Sequence, residues 1–129
     1  MAEKIKKKIL LVDDEPDIVS VTVMRLEASG YEVITAEDGS SGYELAKSEK
    51  PDLIILDLML PLMDGYQVCR LLKFDAQYKD IPIIMLTAKS QQEDKEWGEK
   101  AGADLYMTKP YEAKELLEKI RQLMEKENG

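Results

Sequence analysis

The sequence has no histidine, one cysteine, one phenylalanine and one tryptophan among its 129 residues. Without histidine there is no Ser-His-Asp or Cys-His nucleophile, no imidazole metal ligand and no phosphohistidine made on this chain. The lone Cys69 cannot close an internal disulfide, and with no CxxC pair the chain offers neither a thiolate zinc site nor a redox couple. A reducing cytoplasm is therefore the expected location. No apolar run approaches the ~20 residues of a membrane span, and no apolar signal segment follows Met1, so neither insertion nor export is expected. Positive charge is in deficit too. Against 18 Lys and Arg stand 26 Asp and Glu, and the net charge of −8 opposes direct nucleic-acid binding. The one basic run, Lys4 to Lys8, reads as a solvated lead-in to a strand. Carboxylates, hydroxyls and lysines remain for any chemistry.

What is present describes a single soluble globular domain over residues 1–129, with 44% hydrophobic and 34% charged residues. Five short apolar runs read as strands: Ile9 to Val12, Tyr31 to Thr35, Leu53 to Leu56, Ile83 to Leu86 and Leu105 to Met107. The first, third and fourth are apolar at successive positions, which means both faces are covered, as in a parallel sheet flanked by helices. Longer polar stretches between them predict an α/β domain of five βα units. The last helix, Glu112 to Glu125, sets Leu116, Leu117, Ile120, Leu123 and Met124 on one face. The first is ambiguous, since Val19 to Val23 alternates like a strand. Pro16 at a first helical position and Gly30 as a stop favour helix. Helices near Gly39 to Ser48 and Gly65 to Lys73 should bury Tyr43, Leu45, Ala46 and Val68, Leu71, Leu72. Between Gln91 and Ala101 only Trp97, Gly98 and Ala101 are apolar, so a fourth helix there is expected to dock loosely.

Polar residues stand at the carboxyl end of strand after strand: Asp13 and Asp14, Asp57, Thr87, Lys109. In an open parallel sheet such positions converge on one crevice. Asp13 or Asp14 alone would serve to cap the helix near Pro16, and Thr87 to cap the helix that follows it. Asp57 is different, because it interrupts the aliphatic run Leu53 to Leu60, where an ionised carboxylate is costly unless paired or metal-bound. Three clustered acids need compensation, and a hard cation with oxygen ligands plus a fixed lysine supplies it; Mg²⁺ fits that role.

The segments Leu11-Val12-Asp13-Asp14-Glu15, Leu56-Asp57 through Asp64-Gly65, Leu86-Thr87-Ala88 and Lys109-Pro110-Tyr111 resemble the response-regulator receiver domains of two-component signalling, over about residues 6–126. The resemblance implies a doubly wound, flavodoxin-like sheet of order 2-1-3-4-5 with five helices, and no output domain within these residues. It implies Asp57 as phosphoacceptor, taking a phosphoryl group from a sensor histidine kinase or histidine phosphotransfer protein. Asp14, Asp57 and the Met59 carbonyl would ligate Mg²⁺ directly, with Asp13 acting mostly through water. Thr87, Lys109 and the Ala88 backbone N–H would hold phosphoryl oxygens. A cis Lys109–Pro110 bond and an aromatic switch at Tyr106 are also implied. Such a chain catalyses only its own phosphorylation and slow dephosphorylation, and controls a downstream protein as a monomer or a phosphorylation-dependent dimer. Met59 and Lys89 would flank the path of the hydrolytic water, where neither positions it well, so a long-lived phosphorylated state is expected. Two rivals meet objections in the sequence. A haloacid-dehalogenase-like phosphohydrolase wants a second Asp where this chain has Met59. A flavin or nucleotide module wants a Gly-rich phosphate loop where this chain has Asp13-Asp14-Glu15-Pro16-Asp17.

Overall fold

Aliphatic runs too short and too β-branched for helices pair side by side in the computed structural model, which describes residues 6–88 and 102–128. The elements are β1 (Lys8–Val12), α1 (Pro16–Ala28), β2 (Glu32–Ala36), α2 (Gly39–Glu49), β3 (Leu53–Asp57), α3 (Gly65–Lys73), β4 (Ile83–Ala88), β5 (Leu105–Lys109) and α4 (Ala113–Asn128). All strand pairings are parallel, in the order β2-β1-β3-β4-β5. That is the expected order. The described residues hold four helices. The helix expected between Gln91 and Ala101 lies outside them, as does Lys89.

Strand alternation divides the core into two layers. Leu10, Val12, Ile54, Leu56, Ile83 and Met85 face Ala46 of α2 and Val68, Cys69 and Leu72 of α3. Ile9, Leu11, Leu53, Ile55, Ile84 and Leu86 face Leu26 of α1 and Leu116, Ile120 and Met124 of α4. Every one of these residues in β1, β3 and β4 has no exposed surface, which explains why those strands carry no polar alternation.

The ambiguous segment at Val19 to Val23 is helical, and the residues it buries are Thr22 and Leu26, while Val21 is exposed. Its first turn takes no side-chain cap, so neither Asp13 nor Asp14 caps it. Asp13 Oδ1 instead accepts the Glu15 N–H at 3.0 Å, fixing the turn that leaves β1. In α3 one expectation fails: Leu71 is 44% exposed and Cys69 is buried in its stead. Val68, Cys69 and Leu72 share one face at i, i+1 and i+4, and Leu71 is rotated away from it. Asp64 and Gln67 form a capping box at the start of α3. A Cβ on Gly65 would run into the Asp57 carbonyl oxygen and approach Leu58 Cα within 2.8 Å, so the bare glycine lets α3 begin directly against the end of β3.

Candidate active site

Register delivers the polar residues to one place. Val12 pairs Leu56, Asp57 pairs Leu86, Thr87 pairs Thr108 and Ala88 pairs Lys109, so four strands end at one edge of the sheet, with β4 and β5 running two residues past the level of Asp57. Thr87 and Lys109 are within their strands, slightly earlier in register than a residue following the strand, because β4 and β5 each run two residues beyond their apolar run. That extension also answers the helix-cap reading of Thr87, which is ladder-paired.

Asp13 and Asp57 are buried and Asp14 is exposed, and one carboxylate oxygen from each lies within 4.8 Å of the other two. Such crowding needs a cation. Lys109 provides one: its Nζ lies 2.8 Å from Asp57 Oδ2, 2.9 Å from Asp13 Oδ2 and 2.8 Å from Glu15 Oε1. Those to Asp57 and Glu15 are hydrogen bonds, whereas Asp13 Oδ2 has the distance without the hydrogen-bond geometry and no other partner among the described residues. Asp57 Oδ1 accepts the Met59 N–H at 3.0 Å, so the carboxylate is held at both oxygens. Burial pushes the Asp57 carboxyl up from its ordinary value, and Lys109 and the Met59 N–H pull it partly back. Burial alone would depress the Lys109 ammonium, but Asp57, Glu15 and Asp13 outweigh that and leave it raised, so it stays charged.

Thr87 is almost fully buried, and its Oγ1 has no hydrogen-bond partner among the described residues. A buried hydroxyl in that condition is costly unless a ligand oxygen completes it. Asp13 Oδ2 is likewise under-satisfied. Three hard oxygen donors, one of them lacking a hydrogen bond, fit a divalent cation of the Mg²⁺ type.

The remaining expected residues fall around this centre. The Lys109–Pro110 bond is cis, as expected. Met59, two residues beyond Asp57, is 68% exposed. Tyr106 is half-buried on β5, packed on the α2/α3 layer. Ala88 ends β4 beside Lys109. Two features were not foreseen. Glu15 holds Lys109, a contact across 94 residues for which its place after Asp13-Asp14 is the only hint. Thr22 shares a 3.1 Å hydrogen bond with the Tyr111 hydroxyl, tying α1 to the segment that follows Lys109; a threonine inside an otherwise aliphatic helix face was its signal. No helix among the described residues is long and apolar enough to cross a membrane.

Comparisons with known proteins agree with this geometry. The family model for the response regulator receiver domain matches residues 9–121. The chain is 49% identical over 118 residues to the alkaline phosphatase synthesis transcriptional regulatory protein PhoP of Bacillus subtilis, a match covering 92% of this chain and 48% of PhoP. It thus spans about half the length of that regulator and of similar transcriptional regulators it matches. Protein PilH of Pseudomonas aeruginosa is 40% identical over 117 residues, covering 91% of this chain and 97% of PilH. Among solved structures, the receiver domain of the sensor histidine kinase PA1611 of P. aeruginosa, with a magnesium ion coordinated in its active site cleft, is similar with a TM-score of 0.86. The two are 32% identical, over 93% of this chain and 98% of that one.

Proposed function

The chain belongs to the response-regulator receiver family, and from that premise we propose that Asp57 accepts a phosphoryl group from a histidine kinase or a histidine phosphotransfer protein. The single observation that carries this reading is the pairing of Asp57 Oδ2 with Lys109 Nζ at 2.8 Å beside the unpartnered, buried hydroxyl of Thr87. A carboxylate oxygen of Asp57 attacks the phosphorus of a phosphohistidine. The O–P bond forms, the P–N bond breaks, and the imidazole nitrogen departs with the electron pair, leaving an acyl phosphate. No general base is required, because the carboxylate paired with Lys109 carries no proton. Thr87 and Lys109 donate to the phosphoryl oxygens, with the Ala88 N–H beside them. Charge in this transition state spreads over peripheral oxygens, so catalysis consists of positioning and donor stabilisation, which these groups supply. Asp14, Asp57 and the Met59 carbonyl would hold Mg²⁺, with Asp13 acting mostly through water, and the ion would supply charge neutralisation at the phosphoryl oxygens.

The chain acts on its own aspartate and turns over no separate substrate. After phosphorylation Thr87 moves toward Asp57 and Tyr106 turns inward behind it, a two-state shift that a downstream protein reads. The setting is cytoplasmic. A haloacid-dehalogenase-like hydrolysis has no support, since Met59 stands where that chemistry wants an acid. The test is incubation with acetyl phosphate and Mg²⁺, read by intact mass. One phosphate, labile to both acid and base, is expected on the wild type and none on Asp57→Asn. An acid-stable label, or a label that survives the substitution, overturns the assignment, and turnover of an aryl phosphate would restore the hydrolase.

A further inference from the structure

The Lys109 ammonium donates to Asp57 Oδ2 and to Glu15 Oε1, each at 2.8 Å, and Asp13 Oδ2 stands 2.9 Å away as a third carboxylate in ionic contact. A phosphoryl oxygen that is to be held by this lysine enters a shell already occupied by three carboxylate oxygens and competes with them for the ammonium. The three differ in what their release costs. The Asp13 side chain has no exposed surface, and that of Asp57 only 8%, so either would be stranded in a medium where an unpaired carboxylate is expensive. The Glu15 side chain is 55% exposed, and its carboxylate regains water as soon as it lets go. Among the described residues no other contact ties this carboxylate, which does not cap α1.

We propose that Glu15 is the exchangeable partner of Lys109, a positioning residue that occupies the phosphoryl-binding ammonium in the resting state and surrenders it when a phosphoryl group arrives. This rests on the assignment of Asp57 as phosphoacceptor and adds a competitor to it. Glu15 holds the lysine in place over the acids, and it also sets a threshold that any phosphoryl group must exceed. The affinity of the site for a phosphoryl mimic is thereby lower than Lys109, Thr87 and the acids would allow.

The experiment is a titration of the folded protein with beryllofluoride at saturating Mg²⁺, comparing wild type, Glu15→Gln and Glu15→Asp. Calorimetry gives the affinity and backbone amide spectra verify the fold. Glu15→Gln removes the ionic competitor. An exposed ion pair is worth up to about 1 kcal/mol, so binding is expected to tighten roughly fivefold. Glu15→Asp keeps the charge and stops one methylene short of Lys109, and it is expected to tighten binding as well. Unchanged or weaker binding by Glu15→Gln overturns the proposal. Wild-type affinity in Glu15→Asp overturns it too, since the effect would then be that of charge near the site and not of contact with the lysine. If the wild type itself takes no beryllofluoride, the phosphoacceptor assignment falls and this inference falls with it, an outcome distinct from the first two.

Discussion

Replacing Lys109 with methionine keeps most of the side-chain length and removes the only described cation in contact with Asp13 and Asp57. Three contacts are lost, and they are unequal. The pair with Glu15 is half in solvent and contributes at most about 1 kcal/mol. The pairs with Asp13 and Asp57 involve side chains 0% and 8% exposed, and breaking a buried pair on one side costs about 3 to 5 kcal/mol because a desolvated charge stays behind. Lys109 itself retains 15% exposure, so water reaches the place it leaves, and about 3 kcal/mol is the expected loss for the variant without metal. In urea unfolding, a slope of about 2 kcal/mol/M converts this into a midpoint lower by roughly 1.5 M. A ligand at a hundred times its dissociation constant returns about 2.7 kcal/mol. Saturating Mg²⁺ should therefore recover most of the loss and should stabilise Lys109→Met more than the wild type, whose acids already have an ammonium. The double variant Lys109→Met with Asp57→Asn removes one of the stranded charges and should regain more than half of what the single one lost. A midpoint shift under 0.5 M, or a double variant no more stable than Lys109→Met, would refute the view that Lys109 compensates a desolvated acidic pair.

Burial pushes the Cys69 thiol up to about 12, so at pH 8 only roughly one molecule in ten thousand carries a thiolate, and iodoacetamide should react only as fast as the protein unfolds; alkylation at the rate of a free thiol would contradict this. Tyr111→Phe deletes the hydrogen bond to Thr22 and should cost about 1 kcal/mol in chemical denaturation. The Tyr111 phenol is raised by burial, so its stabilising share is complete below the ordinary phenol value near 10 and fades as pH rises through the folded value; the wild-type advantage over the phenylalanine variant should shrink in that alkaline window and stay flat from pH 6 to 8. Gly65→Ala forces a methyl against the Asp57 carbonyl and should destabilise by about 1 to 3 kcal/mol while slowing labelling by acetyl phosphate, whereas unchanged values of both would mean α3 shifts freely on β3.

The sheet was legible because burial on both faces leaves a plain trace: Ile9 to Val12, Leu53 to Leu56 and Ile83 to Leu86 have no polar residue, and they are the three central strands. Asp57 was legible as the breach in such a run. The first helix was harder, since its buried residues are Thr22 and Leu26 and its valines are partly exposed, so hydrophobicity and burial do not coincide there. Leu71 shows the same limit, because a helix nine residues long holds several apolar residues and only the partner sheet decides which face turns inward. The Glu15–Lys109 and Thr22–Tyr111 contacts join residues 94 and 89 positions apart, and no local pattern encodes them.

Strand order has a consequence for synthesis on the ribosome. β5 is an edge strand that pairs with β4 alone, and it is the last strand to emerge. A nascent chain exposed only through β4 can already assemble β1, β3 and β4, and with them Asp13, Asp14 and Asp57, while Lys109 is still inside the exit tunnel. The young domain thus passes through an interval in which its acids face each other without their ammonium, and the open flank of β4 is unpaired. Docking of β5 closes both deficits in one event, because the strand that seals the sheet carries the counter-charge at its tip. Chains halted before residue 109 lack this ammonium as well as the α4 side of the core, and a divalent cation in the translation mixture should reduce their proteolysis by the part that the stranded acids contribute.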